Sequence, residues 1–244
     1  RDIDGEAEQD QSGSSVSLSA DGTIVAIGAI YNDGNASYRG HVRVYKYDST
    51  KTTAVTDQSS SDYGPVGWRR LGQDIDGEAD EDLSGYRVSL SADGTIVAIG
   101  ALHNDGSGSN TGHVRVYKYD STKTTAVTDQ SSSDFGPVGW RRIGQDVDGE
   151  AANDQSGISV SLSADGTIVA IGANYNSAIK GHVRVYEIDS FGNFTYTSDT
   201  PAVADVYGNI VLLRSTGYST LTATQSATSS SLSGTTDTTL TVTS

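Results

Sequence analysis

The fourteen residues at 16–29, VSLSADGTIVAIGA, return letter for letter at 88–101 and 160–173, each time 72 residues further along a 244-residue chain. A repeat of this length means that one supersecondary unit is built three times, and that successive units bury their apolar faces against one another. Val16 and Leu18 alternate with Ser17 and Ser19, Asp21-Gly22 supplies a tight turn, and residues 23–27 are β-branched and almost wholly apolar. That pattern is strand, turn, strand. The second strand is apolar on both faces, so each hairpin belongs inside a larger stack of sheets.

One full period runs over 2–73. It opens with an acidic loop (2–13), passes through the hairpin, and continues with a Gly/Asn/Asp loop (31–40). A third strand at 41–47 has valines on one face and tyrosines on the other. A polar segment (48–67) leads to a fourth strand around 68–71. Four strands per period with Gly-rich turns suit a propeller blade, with a solenoid of stacked strands as the competing architecture. Residues 48–62 are identical to 120–134, rich in Ser and Thr and without a core-facing pattern, which reads as an exposed excursion. The third copy breaks off after Asp189 without a Trp-Arg-Arg strand. Short alternating segments at 194–198, 202–206, 210–215, 219–226 and 238–244 then have the spacing of a β-sandwich. The chain is thus read as repeats at 1–189 (2–73, 74–145 and a truncated 146–189) followed by a second domain at 190–244.

The string S-G-x-x-V-S-L-S-A-D-G-T-I-V-A-I-G-A, then G-H-V-R-V-Y, then W-R-R-L-G-Q resembles the FG-GAP repeat of integrin-α-type β-propellers over residues 1–189. Repeats of this wording also resemble those of very large surface or secreted proteins of marine microbes and algae. The resemblance implies an all-β fold with a propeller-like array of three four-stranded blades. The chain departs from the family in having three copies where propellers have 4–8 blades. The family's D-x-D-x-D-G calcium loop is also cut down to Ala20-Asp21-Gly22 and its copies. Residues 194–244 are similar to the bacterial Ig-like module of adhesins and surface proteins, which implies a C-terminal β-sandwich lacking one or two opening strands.

The formal charge of −15 argues against nucleic acid, whose phosphates attract Lys/Arg stripes. It suits solubility in salty surroundings and uptake of divalent cations. No apolar run approaches the roughly 20 residues of a membrane helix, so no membrane insertion is expected. Cysteine is absent, which removes disulfides and thiolate metal sites. Residues 1–6 match 73–78 almost letter for letter, so the chain opens in mid-repeat, as a processed protein or an excerpt of a longer one does.

The strongest site candidate is the acidic stretch. Asp2, Asp4, Glu6 and Asp10 recur as Asp74, Asp76, Glu78 and Asp82, and as Asp146, Asp148, Glu150 and Asp154. Carboxylates two apart in a looping backbone can converge on Ca²⁺, which takes six to eight oxygens. The other reading is a solvated turn whose Asp side chains bond their own backbone. His41, His113 and His182 hold one position ahead of the third strand, and His103 stands alone; structural hydrogen bonds are their expected role. Trp68 and Trp140, each beside two arginines, can stack on a glycan or a partner, or pack between blades. Asn35 and Asn193 begin glycosylation sequons. No G-x-S-x-G elbow or nucleophile–base arrangement stands out, and no phosphate-cradling Gly-rich loop carries a Lys, so no catalytic residues are assigned.

These features point to a non-enzymatic extracellular protein, structural or adhesive, in a secreted cell-surface assembly or filament. Its partners would be other copies of itself or other surface proteins. A lectin-like propeller that binds glycans or proteins is the alternative. Three blades are too few to close a ring, and an open edge invites another strand, so neighbouring chains or further parts of the same chain are expected to complete the sheets.

Overall fold

The computed structural model describes residues 2–32, 37–132, 134–188, 194–200, 202–207, 210–213, 215–225 and 234–242. They fall into two compact units, Arg1–Ile188 and Asp189–Ser244. The fold is all-β apart from one four-residue helical turn, α1 (Asn176–Ile179). The first unit contains one antiparallel sheet per copy. The first sheet runs β1 (Ser12–Leu18), β2 (Ile24–Ala29), β3 (His41–Tyr47), β4 (Trp68–Arg70), and β3 also pairs with β5 (Ile75–Asp76). The second runs β6 (Ser84–Leu90), β7 (Ile96–Ala101), β8 (His113–Tyr119), β9 (Trp140–Asp148). The third runs β10 (Ser159–Leu162), β11 (Ile168–Ala173), β12 (His182–Glu187). The described sheets do not close into a barrel.

The hairpin turn is built as its residues dictate. Asp21 Oδ1 accepts hydrogen bonds from Ser19 Oγ at 2.7 Å and from the Thr23 amide at 2.9 Å. The Ile24 amide donates back to Ser19 Oγ at 2.9 Å. Gly22 sits at φ +70°, in the left-handed region where a side chain is disfavoured. The same bonds recur around Asp93 and Asp165.

One expectation about loops needs correction. At 2–10 the acidic stretch is a loop, as expected, but its second and third occurrences begin as strand: β5 lies antiparallel on β3, with His41 opposite Asp76 and Val42 opposite Ile75, and β9 continues to Asp148. The upper half of β3 or β8 otherwise has unpaired backbone groups, and the segment satisfies them. The Ser/Thr-rich excursion is mostly exposed, as expected, and is held by a few bonds. Val55 bridges Gly64, Lys51 Nζ donates to the Asp62 carbonyl, and Arg70 Nη2 donates to the Gln58 carbonyl at 2.8 Å.

Strand alternation gives each sheet two different faces. In the first sheet, Val16, Leu18, Val25, Ile27 and Tyr45 lie on one side, here called the leading face. Ser15, Ser17, Ile24, Ala26, Val42 and Val44 lie on the other, the trailing face. The trailing face of the first sheet and the leading face of the second form one core, with Ile24, Ala26, Val42 and Val44 packed among Val88, Leu90, Val97 and Ile99. The second core repeats this one copy later, with Ile96, Ala98, Val114 and Val116 among Val169 and Ile171. Gly28 meets the backbone of Gly85 so closely that a Cβ would overlap its carbonyl, and Gly100 meets Gly157 the same way. The free edge of β6 is capped by the preceding copy: the Val88 amide donates to Ser15 Oγ at 3.1 Å and the Leu90 amide to Ser17 Oγ at 2.9 Å. Burial follows this order. Val88 and Leu90 are each 7% exposed, whereas Val16 and Leu18 in the first copy are 62% and 60% exposed. At the other end Val183 and Val185 are 67% and 65% exposed.

The second unit has a three-stranded sheet, with β16 (Gly217–Gln225) between β13 (Phe194–Ser198) and β17 (Gly234–Val242), and a separate hairpin of β14 (Ala204–Tyr207) with β15 (Ile210–Leu213). All pairs are antiparallel.

Candidate functional site

The first two copies each build a buried charged node from the same residues, and the third carries a more open part of it. In β3 the two-residue period places His41 and Arg43 on the leading face, opposite Asp76 and beside Asp74. Arg43 binds Asp74 in a two-point fork, Nε to Oδ1 at 2.9 Å and Nη2 to Oδ2 at 2.7 Å, and Nη2 also binds Glu6 Oε1. Arg70 Nη1 reaches Asp74 Oδ1 at 3.0 Å, and Tyr63 lies under both guanidinium groups at 5.1 and 5.4 Å. Asn32 Nδ2 donates to Glu6 and to Asp10, 3.0 Å in each case. The second node is the same arrangement of Arg115, Asp146, Glu78, Arg142, Asn104 and Asp82, with Phe135 in place of Tyr63. In the third copy Arg184 Nη1 lies 3.6 Å from Glu150, and Asn176 Nδ2 donates to Asp154 at 2.9 Å.

Each arginine thus ties the segment entering a sheet, which carries Glu6 or Glu78, to the segment leaving it, which carries Asp74 or Asp146. A guanidinium with five donors is suited to such two-point clamping. Burial pushes the Asp74 carboxyl up, but hydrogen bonds and charge from Arg43 outweigh it, with Arg70 and His41 adding, and its pKa stays below the ordinary value. Asp146 is held down in the same way by Arg115 and Arg142. Burial lowers His41 and His113, and His113, further depressed by Arg115, falls to about 4. Asp76 is exposed by surface area yet crowded by its neighbours; desolvation first and Asp74 second push it up to about 6.

The twelve carboxylates read from the sequence are therefore divided rather than gathered within a copy. Glu6 meets Asp74 of the next copy, and Glu78 meets Asp146. Glu6 and Asp10 share Asn32, as Glu78 and Asp82 share Asn104. Asp10, Asp82 and Asp154 each accept backbone amides from their own turn, for example Ala151 to Asp154 at 2.9 Å, as in the Asp-turn reading, but all three are buried rather than solvated. Asp2 and Asp4 line a cleft of about 210 Å³ with Tyr45 and Tyr63. Asp74 and Asp76 line a larger one of about 500 Å³ between the first two copies, with Arg39, Thr128, Gln130 and Phe135. Asp148 Oδ1 lies 4.0 Å from His113 Nδ1.

Glu6, His41 and Asp74 bring ligand-type atoms within 4.8 Å of one another, as do Glu78, His113 and Asp146. This donor set is a poor calcium shell. Both carboxylates are already bonded to a guanidinium, the third group is an imidazole, and Ca²⁺ requires six to eight oxygens. His41, His113 and His182 each face the glutamate of their own copy, Nδ1 to Oε2 at 3.6, 3.5 and 3.6 Å, wider than a hydrogen bond.

Trp140 is fully buried. Its Nε1 donates to the Leu71 carbonyl of the preceding copy at 2.8 Å, and its ring meets Tyr119 edge-on at 5.4 Å. No face of that ring is left for a sugar. Trp68 is half-buried against Tyr47 at 5.6 Å. Asn35 and Asn193 lie outside the described residues. Sequence reasoning passed over Arg43, Arg115 and Arg70. The signal was the lone arginine between valines in each H-V-R-V-Y, where a strand that buries its face keeps a charge only if it is paired. No protein-family model matches the chain, and no curated protein matches it.

Proposed function

We propose that this chain is a non-enzymatic extracellular protein, structural or adhesive, and part of a surface assembly or filament. The observation that carries the reading is the charged node. The carboxylates and guanidinium that chemistry would need are bonded among themselves, and in the first two copies they tie the segment entering the sheet to the one leaving it. On this reading the repeats are FG-GAP-type blades of a propeller-like array, and the second unit is an Ig-like β-sandwich acting as a spacer or joint. The arginine holds the place that calcium holds in a loop of linked carboxylates, so the fold does without the ion. Measuring the mass and melting temperature of the native extracellular particle with and without EDTA tests this. A particle of several chains, indifferent to EDTA, is the expected result. A compact monomer would overturn the assembly, and a melt lowered by EDTA would restore calcium.

The cleft between the first two copies supports a second reading, a glycan- or protein-binding module, because it combines Arg39, Thr128, Gln130 and the ring of Phe135. Binding on a glycan array that is lost in Gln130→Ala would favour it.

A further inference from the structure

The cleft of about 500 Å³ between the first two copies holds two charges that the node does not use. Arg39 comes from the segment ahead of β3, and Asp76 ends β5. Desolvation and Asp74 raise the Asp76 carboxyl and Arg39 pulls against them, so the two charges feel each other. Yet among the described residues neither side chain makes a hydrogen bond or an ion pair. Arg39 Nε is buried without an acceptor, and so is Nε of Arg70, a residue only 8% exposed that lines the same cleft. A buried donor without an acceptor is costly, and two of them along one cleft leave it short of acceptors. The opposite wall is held in place: Val127 bridges Gly136, and Arg142 Nη2 donates to the Gln130 carbonyl at 2.7 Å. That wall offers the Gln130 amide and the Thr128 hydroxyl, each without a partner among the described residues, together with the ring of Phe135. The combination is not repeated at the next junction. Thr111 stands where Arg39 stands, its hydroxyl spent on the Asn104 and Gly108 carbonyls at 3.2 and 3.1 Å, and the sequence of the third copy has no Ser/Thr-rich excursion.

We propose that this cleft binds a neutral saccharide through two adjacent hydroxyls, one accepting from Arg39 and its neighbour donating to Asp76. A group that only accepts, such as a uronate carboxylate, would suit Arg39 but would face Asp76 in a chain of net charge −15. A cationic group would suit Asp76 but would face Arg39. A hydroxyl both donates and accepts, so a vicinal pair serves both charges without adding one. The Gln130 amide and the Thr128 hydroxyl, which also donate and accept, take further hydroxyls. The Phe135 ring takes the apolar C–H face of the sugar. A volume of about 500 Å³ lies within the usual range for small-molecule sites, roughly 300–1,000 Å³. The inference rests on the glycan-binding reading given above, and it adds the ligand class and the two residues that select it.

The test is saturation-transfer NMR on the whole chain with methyl glycosides as probes. Those of glucose, galactose, mannose and N-acetylglucosamine are neutral, and those of glucuronic acid and N-acetylneuraminic acid are acidic. At least one neutral glycoside binds, and the acidic ones bind more weakly or not at all. Two variants locate the site: Arg39→Thr, which installs the residue that the second copy carries there, and Asp76→Asn, which keeps the shape and removes the charge. Each weakens binding of that neutral glycoside about tenfold or more, while circular dichroism shows the fold intact. Asp76 is exposed, so if Arg39→Thr fails to fold, Asp76→Asn decides alone. Acidic glycosides that bind as well as neutral ones, or better, overturn the neutral class and leave the glycan reading standing. Neutral binding that is unchanged in either folded variant puts the site elsewhere, and this inference fails while the glycan reading stands. A chain that binds none of the probes at millimolar concentration overturns both.

Discussion

Val16 and Leu18 open the same fourteen-residue string as Val88 and Leu90, and the two pairs differ almost completely in burial. The strands match in register, since Val16 faces Ile27 as Val88 faces Ile99. What differs is the sheet in front. The second copy has the trailing face of the first copy to pack on, and among the described residues no sheet stands in front of the first. Local sequence therefore fixes the strand, and the adjoining copy fixes the core.

Substitutions at equivalent positions should separate sharply on this account, at dilutions where the chain is monomeric. The largest gap is expected for the tryptophans. Trp140→Ala removes a ring wedged between two copies and should cost about 3–5 kcal/mol, while Trp68→Ala should cost less than half as much. Equal losses in denaturant midpoint would break the comparison. Arg115→Met strands two carboxylates in a buried site and should cost roughly 3–4 kcal/mol, against about 1 kcal/mol or less for Arg184→Met, whose glutamate is more open. Leu90→Ala should cost about 2–4 kcal/mol and Leu18→Ala about 0.5 kcal/mol or less. For the glycines, Gly100→Ala forces a methyl onto the Gly157 carbonyl and should cost about 1–3 kcal/mol, whereas Gly172→Ala meets only Ser159 of its own sheet and should cost less. Thermal melts of each pair would show whether the order holds.

A smaller effect is read from pH. His113 titrates near 4 in the fold and near 6.5 when unfolded, so between those values the unfolded chain binds the extra proton. Stability therefore falls as pH drops from 6.5 to 4. Asp76, raised to about 6, works in the opposite direction below that pH, but it is exposed and solvent screens much of its contribution. His113→Gln should flatten the acid side of the melting-temperature profile, and an unchanged profile would remove the histidine from the account.

Much of the fold was legible because the repeat states its pattern three times. Asp21-Gly22 marks the turn, the alternation of Val42 and Val44 with Tyr45 marks the third strand, and Trp68 marks the fourth. The node was less legible. Its acidic half stood out, since paired aspartates suggest a metal, but a single arginine per H-V-R-V-Y string carries no spacing signal of its own. Only the pairing of β5 with β3 brings Asp74 to Arg43, and that pairing lies more than thirty residues away in sequence. The fate of Trp140 likewise depended on Leu71, a residue of the copy before it.

The meeting of Gly28 with Gly85 has a consequence for how such a gene changes. The close glycine contact recurs at both junctions, Gly28 on Gly85 and Gly100 on Gly157, so adding or deleting a whole period leaves that contact matched on both sides. Length can then change by whole periods without a new backbone contact having to be invented. The same backbone contact that makes a single methyl costly makes the number of copies cheap to vary.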